Sequence, residues 1–253
     1  MNYFYQKWVT KFYTALILIM VCWGINTSLI QIIQQNLNTS AWHSFNLDLY
    51  FEPQIMDALL ISLKVSALGG FFAAIFCAIT AYALSVFEFR FKKLILLGML
   101  IILCTPFSFQ LTPLIIGSIK LGLLNKQIAL WIPFVTPILG VFVIKQFIES
   151  VINSDLIEAA RMEGASEWYL FYKIIIPLIK PSMVLIFLIQ FSFIWYLFWY
   201  PLILIQDEAQ QPLVLVAGFG GSYLGAVLLT TVPVFMTLLC SGYIYKFIKA
   251  DVS

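Results

Sequence analysis

The chain has 253 residues, of which 62% are hydrophobic and only 10% are charged, and its formal net charge is +2. Soluble domains carry roughly 25% charged residues, so this composition excludes an ordinary soluble domain and predicts an all-α polytopic membrane protein. The nearly neutral charge balance gives no basic surface of the kind that nucleic-acid-binding proteins use.

The apolar runs predict the membrane spans. A spanning helix needs about 20 mainly apolar residues, and the chain has room for about six. In chain order they are predicted at residues 12–33, 57–86, 94–116, 127–147, 181–205 and 222–247, with Pro106 and Pro113 breaking the third. This divides the chain into a first span with an extracytoplasmic loop (1–56), a transmembrane domain (57–247) and a tail (248–253).

The basic residues predict the orientation. With the N-terminus in the cytoplasm, eleven Lys and Arg residues fall on cytoplasmic segments, and only Lys120 and Lys126 fall outside. Cytoplasmic loops of membrane proteins carry such an excess. Both termini and the connection after the fourth span are therefore expected in the cytoplasm of a bacterial-type inner membrane. Lys64, within the second span, is expected to snorkel toward the membrane surface.

The connection after the fourth span is the most polar part of the chain and predicts two helices separated by a glycine. Asp155 is expected to cap a helix whose third residue is Glu158. Gly164 stands where a glycine commonly ends a helix, and Ser166 can start a second short helix. The pattern favours a structured element along the cytoplasmic surface.

The outer surface of this connection has two interpretations. Leu156, Ala159, Ala160 and Glu163 are predicted to share one helical face, and Pro177 and Pro181 to end the second helix before the fifth span. Small alanines between charges permit close approach by a partner protein. An ordinary amphipathic connecting loop would have the same pattern, so the spacing alone leaves both interpretations open.

Aromatic and amide side chains in the spans are candidates for the substrate path. In the fifth predicted span, Phe191, Trp195, Phe198 and Trp199 are expected to share a helical face. Flat rings suit the C–H faces of sugars, so Trp195, Tyr196 and Trp199 are substrate candidates, although aromatic residues also serve packing and the membrane interface. Gln110 and Gln190 lie at membrane depth and need partners, which are either neighbouring helices or the substrate.

The sequence has no G-x-x-x-x-G-K-[ST] motif with which to hold nucleotide phosphates. Its acidic residues lie in loops or at the ends of predicted spans, whereas ion-coupled carriers commonly keep ionisable groups near the middle of the membrane. These two features favour energy supplied from outside the chain.

Three short segments of this connection closely resemble the EAA loop of binding-protein-dependent ABC importer permeases. They are Glu158-Ala159-Ala160, Glu163-Gly164-Ala165-Ser166, and Ile176-Pro177-Leu178 with Pro181. The loop spans residues 155–181 and is most similar to the carbohydrate, maltose-transporter-type branch. Ala81-Tyr82-Ala83-Leu84 and the region from Trp195 to Pro201-Leu202 also fit, so the resemblance covers roughly residues 57–247. The sequence departs from the family pattern at Glu163, where Asp is usual, and at Tyr196, where Asn is common.

The resemblance implies an ATP-driven importer of a sugar or oligosaccharide. Its partners would be two ATPase subunits that bind ATP and magnesium, a second permease subunit and an extracytoplasmic solute-binding protein. The second permease subunit is expected to be a different chain. This chain itself would bind no cofactor. Contact with the ATPase would involve Glu158, Ala159, Ala160, Arg161, Glu163, Gly164, Ala165 and Ser166. Alternatives are an ABC importer of polyamine or glycerol phosphate, or an ion-coupled carrier or channel without an ATPase.

Overall fold

The computed structural model describes residues 53–152, 154–220 and 228–240. Within these ranges the helices are α1 (Pro53–Val86), α2 (Lys92–Cys104), α3 (Phe107–Lys120), α4 (Ile138–Val151), α5 (Ser154–Met162), α6 (Glu167–Trp195), α7 (Trp199–Leu204), α8 (Leu213–Gly220) and α9 (Leu228–Cys240). Short 3₁₀ turns lie at Gln127–Leu130, Ile132–Phe134 and Glu208–Gln210. The described ranges contain no strand, which confirms the all-α prediction. The predicted first span and the tail lie outside them, as does part of the sixth span.

Two helices of the described residues are long and apolar enough to cross a membrane by themselves, Gln54–Val86 with 33 residues and Glu167–Trp195 with 29. Two bent pairs would each reach that length if counted as one span. Helices α2 and α3 meet at 104°, and Gln127–Phe134 meets Ile138–Ser150 at 42°. Up to four spans are therefore present in this part of the chain.

The predicted break of the third span at Pro106 is confirmed, because Pro106 is the N-cap of α3. The predicted break at Pro113 is wrong, since that residue lies inside α3. At the Pro106 break, the side-chain amide of Gln110 donates to the carbonyl oxygens of Ile102 at 3.2 Å and Thr105 at 3.0 Å. The carbonyl oxygen of Ile102 also accepts from the backbone N–H of Thr105 at 3.1 Å, so the Gln110 amide adds two side-chain bonds to the backbone bond at this bend.

The fifth span differs from its prediction at both ends. Helix α6 begins at Glu167 and runs through Pro177 and Pro181, so the predicted stop before the span is wrong. A π-helical turn at Leu170–Ile175 ends two residues before Pro177, and such turns occur as local irregularities within α-helices. The helix then ends at Trp195, and Pro201 lies in the first turn of the separate helix α7, where a missing N–H costs little.

The described residues form two compact units. One consists of Ala67–Leu124 and Ile128–Gln190, and its core takes buried side chains from α1, α4, α5 and α6. In this unit Gly70 permits close packing of α1 against α6, because a Cβ atom there would lie 2.8 Å from the carbonyl oxygen of Phe187. This core supports α5 and the beginning of α6.

The other unit takes the described residues up to Ser66, Asn125–Gln127 and the described residues from Phe191 onward. Its largest buried side chains include Trp195 and Tyr200. The backbone N–H of Leu213, at the start of α8, donates to the hydroxyl of Ser62 on α1 at 2.7 Å. A buried polar contact thus fixes the chain after α7 to the first part of α1.

Candidate functional site

The glycine between α5 and α6 ends the first helix as predicted. Gly164 has φ of +83°, in the left-handed region that favours glycine. Its N–H donates to the carbonyl oxygen of Arg161 at 3.0 Å, and the N–H of Ala165 donates to that of Ala160 at 3.0 Å. This pair of bonds is a Schellman motif, which stops the helix and redirects the chain sharply.

Of the two predicted helix starts, the structure confirms one and contradicts the other. Ser166 is the N-cap of α6, where its hydroxyl accepts a hydrogen bond from the N–H of Tyr169 at 3.2 Å, so this prediction is confirmed. The prediction that Asp155 caps α5 is wrong, because the helix begins at Ser154 and includes Asp155. The buried, extended Ile152 ends α4, and α5 begins two residues earlier than the capping pattern indicated.

The faces of α5 are divided differently from the prediction. Ile157 is buried and Ala160 is partly buried against the same core, three residues apart on one side of the helix. Leu156, Ala159 and Glu163 are exposed. The prediction that Ala160 shares one helical face with these exposed residues is therefore wrong. The Schellman motif draws Ala160 and Ala165 together against the core, and Glu158 and Arg161 remain exposed with the outer face.

Apolar side chains project from this otherwise polar region. Met162, at the end of α5, is 90% exposed, and Leu156 is also exposed. Trp168 and Tyr172 on α6 are exposed and stack with ring centroids 6.0 Å apart. Neither Met162 nor this stacked pair was among the predicted contact residues, although an apolar residue two positions before a helix-ending glycine is a usable signal of an exposed helix end.

A buried tyrosine and an arginine share one carboxylate beside α5. Glu167, the first residue of α6, accepts from the Tyr82 hydroxyl at 2.7 Å and from Nε of Arg161 at 2.9 Å. The hydrogen bond to this carboxylate raises the pKa of the Arg161 guanidinium, which therefore stays charged. Tyr82 and Glu167 are 85 residues apart in the sequence, so no local pattern predicts this contact.

The aromatic candidates do not form one helical face. Trp195 is 1% exposed, its ring stacks on Phe191, and its Nε1–H donates to the carbonyl oxygen of Leu229 at 2.8 Å. Trp199 is 65% exposed on α7. The predicted common face is wrong because the helix stops at Trp195. Tyr196 lies half-buried in the turn that follows.

Both candidate amides contact backbone carbonyls in the structure. Gln190 is buried and donates to the carbonyl oxygen of Phe134 at 3.0 Å, within the unit that holds α5. Gln110 stabilises the bend between α2 and α3 described above. These contacts give the two side chains structural roles. They also supply the hydrogen-bond partners that amides within membrane-spanning segments require.

We expect Gln190→Leu to destabilise the protein by about 0.5–1.5 kcal/mol, because the substitution removes the buried hydrogen bond that the Gln190 amide donates to the carbonyl oxygen of Phe134. Thermal unfolding in detergent would measure the loss. Gln190→Glu is the companion variant, since a protonated carboxyl group can still donate to that carbonyl. A Leu variant as stable as the unchanged protein would contradict this role.

Polar residues also converge in the other unit. Nζ of Lys64 donates to Oε1 of Gln127 at 3.5 Å, and Nε2 of Gln127 donates to Oε1 of Gln210 at 2.7 Å. The expected snorkelling lysine thus has a protein partner. A separate open cavity of the same unit is lined by acidic and amide side chains and two alanines: Gln54, Asp57, Ala58, Asp207, Glu208, Ala209 and Gln211.

Comparison with known proteins identifies the family. Residues 70–253 match the binding-protein-dependent transport system inner membrane component. The chain belongs to this family. The matched region contains α5, the Gly164 turn and all of α6, which are the elements that carried the EAA-loop resemblance. The predicted family is therefore confirmed, and the chain is an inner membrane component of a transport system.

Its relatives include several sugar permeases. The arabinooligosaccharides transport system permease protein AraQ of Halalkalibacterium halodurans is 30% identical over 168 residues, which are 63% of this chain and 60% of that protein. The melibiose/raffinose/stachyose import permease protein MelC of Bacillus subtilis is 27% identical over 202 residues, 79% of this chain and 73% of that protein. The matched region thus spans about 60% of the length of AraQ.

A solved structure has the same fold. A chain of a bacterial ABC transporter involved in the import of the acidic polysaccharide alginate superimposes with a TM-score of 0.60 at 20% sequence identity. The match covers 80% of this chain and 77% of that chain. The two chains therefore share a helical fold over most of their lengths.

Proposed function

We propose that this chain is the permease subunit of an ATP-driven ABC importer, forming a path for a sugar or oligosaccharide delivered by an extracytoplasmic binding protein. Two ATPase subunits, which bind the ATP and magnesium, and a second permease subunit complete the assembly. Both termini and α5 lie in the cytoplasm, in agreement with the distribution of basic residues. Family membership and the names of the relatives support this proposal.

The observation that carries the proposal is the exposed outer face of α5. Its inner face is fixed to the core through Ile157, so the helix can transmit force without detaching. Its outer face presents Leu156, Ala159 and Met162 between the carboxylates of Glu158 and Glu163. Fully burying an apolar side chain such as Met162 contributes roughly 1.5–3 kcal/mol. The matching ATPase surface is an apolar cleft with basic groups at its rim.

Glycerol phosphate is the second candidate cargo. The sn-glycerol-3-phosphate transport system permease protein UgpE of Pectobacterium atrosepticum is 25% identical over 171 residues, which are 64% of this chain. Uptake of labelled oligosaccharides and of labelled glycerol 3-phosphate, measured in parallel in cells with and without this chain, distinguishes the two. Sugar uptake that is the same in both would contradict the preferred cargo.

Met162→Asp is expected to reduce the ATPase activity that co-purifies with the chain by about tenfold or more, because a charge would replace an apolar group at the contact. The side chain is 90% exposed, so the substitution should leave folding and membrane insertion intact. Phe91→Asp is the matched control, since Phe91 is also exposed but lies outside the region of α5.

Gentle solubilisation, affinity purification and assay of ATP hydrolysis in the eluate measure this association. If the unchanged chain brings no ATPase activity, the ABC importer proposal fails and the ion-coupled alternative gains support. If Met162→Asp and the unchanged chain bring equal activity, the proposed contact surface on α5 is wrong.

A further inference from the structure

The carboxylate of Glu167 joins three helices. It belongs to the first residue of α6 and uses both of its oxygens. Oε2 accepts from the hydroxyl of Tyr82, near the end of α1, at 2.7 Å. Oε1 accepts from Nε of Arg161, in the last turn of α5, at 2.9 Å. A displacement of α5 therefore acts on a group that is bonded to the ends of both long helices.

The tyrosine end of this connection is firmly held. Tyr82 is 6% exposed, and its ring lies 5.2 Å from that of Phe171 and 5.8 Å edge-on from that of Phe87. The arginine end is half-exposed, where α5 meets the surface. Bonds to a charged carboxylate are shorter and stronger than those between neutral groups. The connection thus leads from an exposed helix to a buried anchor.

The hydrogen bonds of Glu167 resist a sliding movement of α5 that its apolar contacts permit. Ile157 and Ala160 hold α5 against the core, but apolar burial is non-directional and permits sliding. A hydrogen bond weakens steeply when its angle or length changes, so it resists sliding. The Arg161–Glu167–Tyr82 connection therefore fixes the position of α5 along the surface of the core.

We propose that Tyr82 and Glu167 are positioning residues that convert movement of α5 into movement of the ends of α1 and α6 during transport. This inference rests on the proposed ABC importer function and adds a role to residues outside the docking surface. Tyr82 and Glu167 make ATP hydrolysis productive, whereas Leu156, Ala159 and Met162 hold the ATPase. Loss of the connection should therefore uncouple hydrolysis from uptake without releasing the ATPase.

Tyr82→Phe tests this role because it removes only the hydroxyl and keeps the ring packing. With the purified complex in proteoliposomes, we expect solute carried per ATP hydrolysed to fall about tenfold, the effect of losing one hydrogen bond to a charged group. ATP hydrolysis and ATPase association should stay within about twofold of the unchanged complex. Thr80→Val is the matched control on α1, since that hydroxyl donates to the carbonyl of Phe76 in its own helix at 2.8 Å.

Glu167→Gln and the double variant complete the test. If the two residues act through one connection, the double variant should be no more uncoupled than the stronger single variant. Effects that multiply would overturn the proposal, as would a Tyr82→Phe complex with the unchanged ratio of uptake to hydrolysis. A Tyr82→Phe chain that fails to assemble would show that the hydroxyl is needed for folding and would also overturn it. Absence of ATPase from the unchanged chain would instead refute the proposed function.

Discussion

Gly164→Val is expected to abolish uptake while the protein still inserts in the membrane. The left-handed conformation at this position, with φ of +83°, costs an ordinary L-residue roughly 1–2 kcal/mol and a β-branched one more. Apart from Gly164 and its two chain neighbours, no described residue places an atom within 4 Å of where the Cβ would stand, so the expected cost comes from the backbone conformation. Valine should therefore displace the end of α5, which includes Met162. Uptake into vesicles and the amount of protein in the membrane fraction are the two measurements.

Gly164→Asn separates two explanations for that loss. Asparagine tolerates the left-handed conformation and can keep the Schellman motif, but it adds a side chain to the exposed surface. If Asn restores ATPase association and uptake, the backbone geometry is what the turn requires. If Asn fails as Val does, the turn itself packs closely against the ATPase. Full uptake by the Val variant would contradict any coupling role for this end of α5.

Features set by neighbours in sequence were predictable. The stop at Gly164, the start at Ser166 and the break at Pro106 each depend on a residue type whose preferred conformation acts within about one helical turn. The structure confirms all three. The length and apolarity of residues 57–86 similarly sufficed to predict a long helix, because a continuous apolar run of this length has few other solutions.

Features set by distant contacts were not predictable. Pro177 was expected to end a helix, but the π-helical turn before it keeps α6 continuous. The sequence pattern does not distinguish Ala160 from Ala159, but in the structure only Ala160 of these two packs against the core. Tyr82 and Glu167 meet only after α1 and α6 have packed together. For Ala160 and for the Tyr82–Glu167 contact, tertiary packing decided between alternatives that local propensity left nearly equal.

Trp195→Ala is expected to act through stability. Removing this buried side chain should cost about 3–5 kcal/mol, because it leaves a cavity beside Phe191 and removes the donor to the Leu229 carbonyl. Trp195→Phe retains a ring and should lose only about 1–3 kcal/mol, mainly through the unpaired carbonyl. Thermal unfolding of the two variants in detergent measures the difference. Equal stability of Trp195→Ala and the unchanged protein would contradict the packing role.

Trp199→Ala should leave stability unchanged, because its ring is 65% exposed. If the exposed ring stacks on a sugar, its loss should raise KM for uptake by roughly tenfold, the effect expected from one aromatic contact of about 1–1.5 kcal/mol. Trp199→Phe keeps a flat face and should recover most of the affinity, while ATP hydrolysis and ATPase association should remain normal in both variants. Unchanged KM in Trp199→Ala would exclude this ring from the path. The two tryptophans thus distinguish a fold defect, which lowers the amount of active protein, from a cargo defect, which changes the solute concentration needed for uptake.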